Sequence, residues 1–495
     1  MAQGTAAPGG YLMGRGGGLL QPPGTSSVQP GSPGGVMTDH MSPLLEADGT
    51  LKRTWSQKTF APMGMGSLRG SVLSLASTAF GSGVLALPWL YASMGLVLGS
   101  VLMAAGAFAA FVSLRLLANA SWAVGEQDYT EMVRRTIGPR TATFLDSVLV
   151  LYCGGAICGY YVFIEQFGPL LMQSLGLPAW FQRPTNLVFL LTAFPVLPLC
   201  LVRALSSLRY ASLLSTASLI VVAVMLVAQT PGKYAEMANL NADIDLFSPP
   251  SGAWALVPRV ASIFFFAFCC HINACAAFAG MDEPVPYRVD KVISRAVLLM
   301  IFVYGGLGVC GFLSYGPACT VEVPTASSPL CTPTNILASP KFSGSVSVLS
   351  RACMTGSLCV AIPLNLNAAR SILERWIVGS RQQKQSPLYM HVSLTVLILG
   401  SMLLTAVLYR NVNNILGVLG GFAAVSFMFV IPAFIMMSLH FKPLAGSVFE
   451  APRIGEWLGV SRSGVLFVAF FLGVCTALGY FSAGTAVRDM VAAGR

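Results

Sequence analysis

About eleven apolar runs, each long enough to cross a bilayer, leave this chain few ways to fold. A membrane-spanning helix needs roughly 20 apolar residues. The runs lie near 69–92, 94–118, 142–174, 186–206, 210–230, 258–281, 295–316, 345–370, 388–409, 413–440 and 463–487. In hydrocarbon a backbone must satisfy its own N–H and C=O groups, so each run reads as a helix. The composition agrees. The chain is 55% hydrophobic and 10% charged, against about 25% charged residues in a soluble domain. The expected fold is an all-α, polytopic membrane protein, with the lipid bilayer as its surroundings.

The net charge of +10 would suggest nucleic acid in a soluble protein. Here it falls in alternate connections between the spans. Lys52, Arg53 and Lys58 precede the first run, and Arg134, Arg135 and Arg140 lie between the second and third. The pattern recurs at Arg203 and Arg209, at Arg288, Lys291 and Arg295, at Arg370, Arg375, Arg381 and Lys384, and at Lys442, Arg453 and Arg462. About 21 of the 29 Lys and Arg lie on that side, which the positive-inside rule makes cytoplasmic. The N-terminus is then cytoplasmic, and no nucleic-acid partner is expected.

The chain divides into three parts. Residues 1–66, rich in Gly, Pro and Ser, read as a disordered cytoplasmic tail. Residues 67–487 form the membrane domain, and 488–495 a short non-cytoplasmic tail. The first apolar run begins too far in, and runs too long, for a cleavable signal peptide. Within the N-terminal tail, Pro43-Leu44-Leu45 resembles a dileucine sorting signal, with Asp39 one position farther upstream than the usual spacing. Such signals address vacuolar or lysosomal membranes; a plasma-membrane site fits the sequence equally.

Of the 12 cysteines, about ten fall in apolar stretches and read as small buried hydrophobes. Cys319 and Cys331 instead share one polar, non-cytoplasmic loop, 317–344. A disulfide is expected there, with two free thiols as the alternative. No C-x-x-C pair or His-x-His cluster suggests a metal. No H-E-x-x-H, G-x-S-x-G or phosphate-binding loop suggests an enzyme, and no cofactor is expected.

Eleven spans divide as five, five and one. An odd number per repeat inverts the second repeat, and transporters built this way place their substrate where the first helix of each repeat is interrupted. The first such helix holds Ser77-Thr78-Ala79-Phe80-Gly81-Ser82-Gly83, with Pro88 beyond. Glycine costs a helix about 1 kcal/mol and proline about 3. Open backbone at membrane depth is tolerated where it lines a cavity, and free N–H groups at a half-helix N-terminus suit a carboxylate. Close helix packing through small residues is the alternative. The matching segment is the sixth span, Ser262 to Pro284, whose break is expected in the small-residue run Asn273–Ala277.

Gly81 to Gly99 resembles the first-helix signature of the amino acid/auxin permease family. Tyr129 to Val162 resembles the family's loop helix and third span, Ser207 to Ser218 its fifth-span entry, and Asn414 to Met437 its tenth span, with the late Pro432. The resemblance implies an eleven-helix, LeuT-like inverted-repeat fold with interrupted helices 1 and 6, transporting an amino acid by alternating access. It implies that Gly81, Ser82 and Gly83, beside Ser77 and Thr78, hold the substrate carboxylate. The sixth helix, through Cys270, His271, Asn273 and Ala274, would supply acceptors for the amino group and part of the side-chain pocket. Cys270-His271 matches a dipeptide common in the family's sixth helix. Sodium-coupled members carry Asn where this chain has Ser77, and a hydroxyl where it has Cys359-Val360-Ala361. Protons are therefore expected as the coupling ion in preference to sodium, if transport is coupled at all.

Other residues carry two readings each. His271 is an ionisable group near mid-span, suited to substrate or proton, or a neutral group holding the helix in shape. Asn365 and Asn367, after Pro363, read as a polar cavity wall or gate. Tyr160 and Tyr161 read as packing residues, one of them facing the cavity. Asp146 is expected at the membrane interface. Glu165 is expected in a water-exposed vestibule, with a basic substrate or a proton as its alternative partner. Two functions follow: a secondary amino acid transporter, proton-coupled or uniport, or an amino acid sensor on the same fold that signals through its tail.

Overall fold

Ser67 opens the first helix, its hydroxyl accepting from the Gly70 N–H at 3.2 Å as an N-cap does. The computed structural model describes residues 67–202, 208–239, 249–281, 285–319, 331–339, 342–379, 387–441 and 462–493, together with Phe247. The tail 1–66, with Pro43-Leu44-Leu45, lies outside the described residues.

Helix α1 (Leu68–Ala79) stops at Phe80, Gly81 runs extended, and a tight 3-10 turn (Ser82–Ala86) leads into α2 (Leu87–Val124). Pro88 sits in the first turn of α2, where its missing N–H has no intrahelical partner to lose. Proline is thus a starter here, not a breaker. Gly95 then takes φ 74 and ψ 171 and turns the chain within α2, a conformation open to glycine alone without strain. The first expected span therefore consists of α1, the 3-10 turn and α2 up to Gly95; the second is the rest of α2.

A short helix, α3 (Tyr129–Thr136), follows, capped by Asp128 and carrying Arg134 and Arg135 in its last turn, as the helix dipole favours. Next come α4 (Pro139–Ser174), α5 (Pro184–Leu191) and α6 (Leu197–Leu201), the last two joined through a wide turn at Thr192–Val196 that holds Pro195. Then α7 (Leu208–Asn239) ends the first repeat. The second opens with α8 (Ala253–Ala267), the turn His271–Asn273 and α9 (Ala274–Ala279). It continues with α10 (Pro286–Tyr315), α11 (Ser345–Val378), α12 (Leu388–Leu408), α13 (Val412–Val418) and α14 (Ile431–Phe441). Finally α15 (Arg462–Ala493) runs beyond the expected span end at 487.

Ten helical stretches among the described residues are long and apolar enough to cross a membrane. One, Gly83–Val124, has 42 residues, too many for one crossing. Divided at Gly95, it gives the eleventh. Helix α4 is the most enclosed, with 78% of its most apolar stretch buried; it is the post against which α11 packs.

The described residues between α10 and α11 do not form a free polar loop. Cys319 and Cys331 form a disulfide with Cα atoms 4.9 Å apart. Beyond it, Thr332 to Ser339 are buried without interruption. Arg351 of α11, itself 3% exposed, donates to the carbonyls of Leu337, Ser339 and Phe342, each at 3.0 Å. Asn335 donates to Phe163 O at 3.4 Å, and Ile336–Ala338 packs against the 3-10 turn of the first span. Buried carbonyls need donors, and one guanidinium with its fork of N–H groups serves three.

Candidate transport site

Between the two interrupted helices lies a cavity of about 540 Å³, within the range of small-molecule sites. Four elements line it. Ser74, Ser77, Thr78, Phe80 and Gly81 come from the first span; Tyr152, Cys153 and Tyr160 from α4. Cys269, Ile272, Asn273 and Ala277 come from the sixth span; Ala361, Leu364, Asn365, Asn367, Ala368 and Ser371 from α11. None of these side chains is charged. Ser74 and Ser371 are exposed, and they lie at the end where α1 begins and α11 nears its finish. Ile336–Ala338 packs on the 3-10 turn Ser82–Ala86 beyond Gly81 and lines no part of the cavity.

The first break is a matter of space. Gly81 has φ −113 and ψ −161, extended backbone that any residue adopts, but a Cβ there would come within 3.3 Å of the Tyr160 hydroxyl. The α1 side offers hydroxyls: Ser77 and Thr78 both donate to Ser74 O, at 2.8 and 3.0 Å, leaving oxygen lone pairs for a guest. Asn273 Nδ2 reaches Thr78 Oγ1 at 3.5 Å, joining the two breaks.

The sixth-span break differs from expectation. It falls at Phe268–Cys270, upstream of the expected run Asn273–Ala277, and contains no glycine. Phe268 N–H bonds to Phe264 O and Cys269 N–H to Phe266 O, so the last turn of α8 tightens and the chain leaves the helix. Asn273 and Ala277 lie just after the break and still line the cavity.

Several residues expected at the site lie behind it. Gly83 packs on the Phe266 ring, 2.8 Å from the place its Cβ would take. The backbone of Ser82 begins the 3-10 turn. Cys270 and Ala274 are fully buried. His271 is fully buried too, with Nε2 2.6 Å from Ser113 Oγ of α2, which donates to Ala110 O; Nδ1 has no hydrogen-bond partner.

One acidic residue requires correction. Glu165 is not in a water-exposed vestibule: its side chain is 3% exposed and 3.2 Å from Arg410, which stands between α12 and α13. Asp146, near the start of α4, is covered by protein, accepting from Thr130 at 2.7 Å and facing Arg375 of α11 at 3.4 Å. A carboxylate taken out of water needs such partners. Of the two tyrosines, Tyr160 lines the cavity and Tyr161 is buried elsewhere.

Asn365 donates to Tyr160 Oη at 3.3 Å and to Ala361 O at 3.0 Å; Asn367 accepts from Arg370. Ser74, Tyr152 and Ser371 line the cavity without having been singled out. Ser74 completes a stripe with Ser77 and Thr78, at i, i+3 and i+4, one face of α1. That spacing was visible in the sequence.

Residues 64–474 match the family model described as transmembrane amino acid transporter protein. The chain belongs to that family. Among curated members, it is 30% identical over 270 residues to the putative amino acid transporter AAT1 of Toxoplasma gondii, covering 53% of this chain and 35% of that protein. It is 28% identical to vacuolar amino acid transporter 6 of Saccharomyces cerevisiae, covering 50% and 56%. With sodium-coupled neutral amino acid transporter 7 of Homo sapiens it shares 25% identity, covering 84% and 88%. The match thus spans about a third of the first relative's length, half of the second's and most of the third's. Among solved structures, MhsT in complex with L-phenylalanine superposes with a TM-score of 0.54 at 13% identity, covering 86% of this chain and all of that one. A manganese transporter of Eremococcus coleocola gives 0.54 at 12% identity, covering 86% and 89%. These likenesses carry the fold alone: a multi-pass, LeuT-like helical membrane protein. This member of the transmembrane amino acid transporter family is not an enzyme.

Proposed function

We propose that the chain moves amino acids across a membrane by alternating access, as a proton-coupled or facilitative carrier. The observation that carries this reading is the cavity at the meeting of two interrupted helices, lined by both of them and by α4 and α11. Such a site is reached from one face at a time.

In this reading the substrate carboxylate lies at the Gly81 break, where the first amides of a half-helix lack intrahelical partners. The oxygens of Ser77, Thr78 and Asn273 accept from the ammonium group. The side chain rests among Tyr152, Tyr160, Ile272 and Leu364. An uncharged wall favours neutral amino acids, because a cationic side chain would meet no carboxylate there. With the N-terminus cytoplasmic, the open end faces the cytosol. Ser77 and the apolar Cys359-Val360-Ala361 stand where the family resemblance implies an asparagine and a hydroxyl in sodium-coupled members, which favours protons over sodium. The name of the Saccharomyces cerevisiae relative supports a vacuolar membrane, and a plasma membrane is the alternative the sequence leaves open.

Uptake of labelled amino acids by purified protein in liposomes, under imposed proton or sodium gradients, tests this. Accumulation driven by the proton gradient, or gradient-free exchange, is the expected result. Binding without flux would replace the carrier by a sensor.

A further inference from the structure

Tyr304 of α10 is fully buried, and its hydroxyl lies 2.9 Å from Ala79 O and 2.9 Å from Ala267 O. These are the last residues of α1 and α8, the two half-helices that end at the breaks. The end of a helix carries carbonyls without intrahelical partners and about half a unit of negative charge; Ala79 O also accepts from the Gly81 N–H at 2.8 Å, which leaves one lone pair for Tyr304. Two such ends therefore converge on a single oxygen.

The surroundings are equivalent on both sides. Phe80 follows Ala79 and Phe268 follows Ala267, and both rings meet the Tyr304 ring edge-on, with centroids 5.8 and 5.1 Å away. The Ala-Phe pair of the first repeat and that of the second thus grip one side chain in the same way. The inverted repeat is legible at the level of atoms here.

A hydroxyl has one hydrogen, so Tyr304 donates fully to only one carbonyl at a time. Two negative helix ends around one point form a setting in which a cation would satisfy both. Half-helix C-termini and unwound carbonyls are where carriers of this architecture coordinate monovalent cations. We infer that the Tyr304 hydroxyl stands in the place of a monovalent cation between the ends of α1 and α8, and ties the two interrupted helices together without one. Tyr304 is a positioning residue, set behind the cavity wall that Phe80 and Cys269 form. Its consequence for flux rests on the transport reading; the tie itself does not.

The experiment is the melting of purified full-length protein in detergent, in sodium chloride and in choline chloride at equal ionic strength. Tyr304→Phe removes the hydroxyl that bridges the two carbonyls, so an ion binding there settles between the carbonyls and away from the ring. It is expected to melt several degrees below wild type in choline, and to be raised by sodium, saturably and by more than wild type is. Melting equal to wild type in choline would overturn the tie. Lower melting with no sodium gain beyond that of wild type would overturn the cation position. Should Tyr304→Phe not be recovered, Tyr304→Asn, which opens more room and supplies an oxygen, is expected to give the same sodium response and is judged by the same two outcomes. A sodium response in a protein that moves no amino acid would support the tie while ending the transport reading.

Discussion

Asn365 of α11 donates a hydrogen bond to the Tyr160 hydroxyl of α4 at 3.3 Å, in the cavity wall beside Gly81. The bond orients the hydroxyl that stands nearest the first break. A neutral hydrogen bond contributes about 0.5–1.5 kcal/mol, roughly 2- to 10-fold in an equilibrium constant. Tyr160→Phe is therefore expected to weaken substrate binding by that factor while the protein remains folded. Asn365→Ala, which also loses the bond to Ala361 O, is expected to weaken it at least as much. Concentration dependence of uptake measures both, and unchanged affinity in both would place this pair outside the site.

The two glycines of the first break are expected to fail in different ways. A side chain at Gly81 enters the cavity against Tyr160 Oη, whereas one at Gly83 meets the Phe266 ring at 2.8 Å. Gly81→Val is expected to lower uptake at least tenfold with normal amounts of folded protein. Gly83→Val overpacks a buried contact, costing about 1–3 kcal/mol of stability. Uptake and melting measured side by side separate them. Full uptake by Gly81→Val would remove the carboxylate from this break.

How much of this was readable beforehand depends on which force set each feature. Spans follow from apolar length, and the first break from Gly81, so both were legible. The sixth-span break was misplaced because a tightened last turn at Phe268, rather than a glycine, makes it. Glu165 was misread because Arg410, its partner, stands 245 residues away in sequence. Burial of 332–339 depends on Arg351, a residue that reads from sequence as one more positive charge.

Glu165 and Arg410 form a pair with one end buried and the other 53% exposed. Breaking a buried pair leaves an uncompensated charge, at up to about 3–5 kcal/mol. Solvent around Arg410 reduces that, so about 1–3 kcal/mol is expected here. Arg410→Ala should melt lower than Glu165→Gln, and the double variant should recover part of the loss. A double variant no better than Arg410→Ala would mean that the carboxylate does not depend on the arginine.

Arg351 should matter more than any surface arginine, because it satisfies three buried carbonyls. Arg351→Lys offers a point charge in place of a planar fork. It is expected to loosen 332–339, raising proteolysis or hydrogen exchange there while the cavity residues stay protected. Exchange unchanged across 332–339 would show that the disulfide and Asn335 hold the segment alone.

His271 lies outside the cavity wall, and its hydrogen-bond partner among the described residues is Ser113. Enclosed in this way, it is expected to hold the sixth helix in shape. Histidine is nonetheless the residue whose ordinary titration spans about pH 5 to 8, so the position decides between shape and coupling. His271→Gln keeps a donor for Ser113, whereas His271→Ala leaves a hole and a Ser113 hydroxyl bonded to Ala110 O alone. The alanine variant is expected to lose about 2–4 kcal/mol of stability and the glutamine variant less. The pH profile of uptake should stay where it is in His271→Gln, measured in liposomes across that pH range. A flattened profile in His271→Gln, with folded protein present, would make this histidine the proton carrier after all.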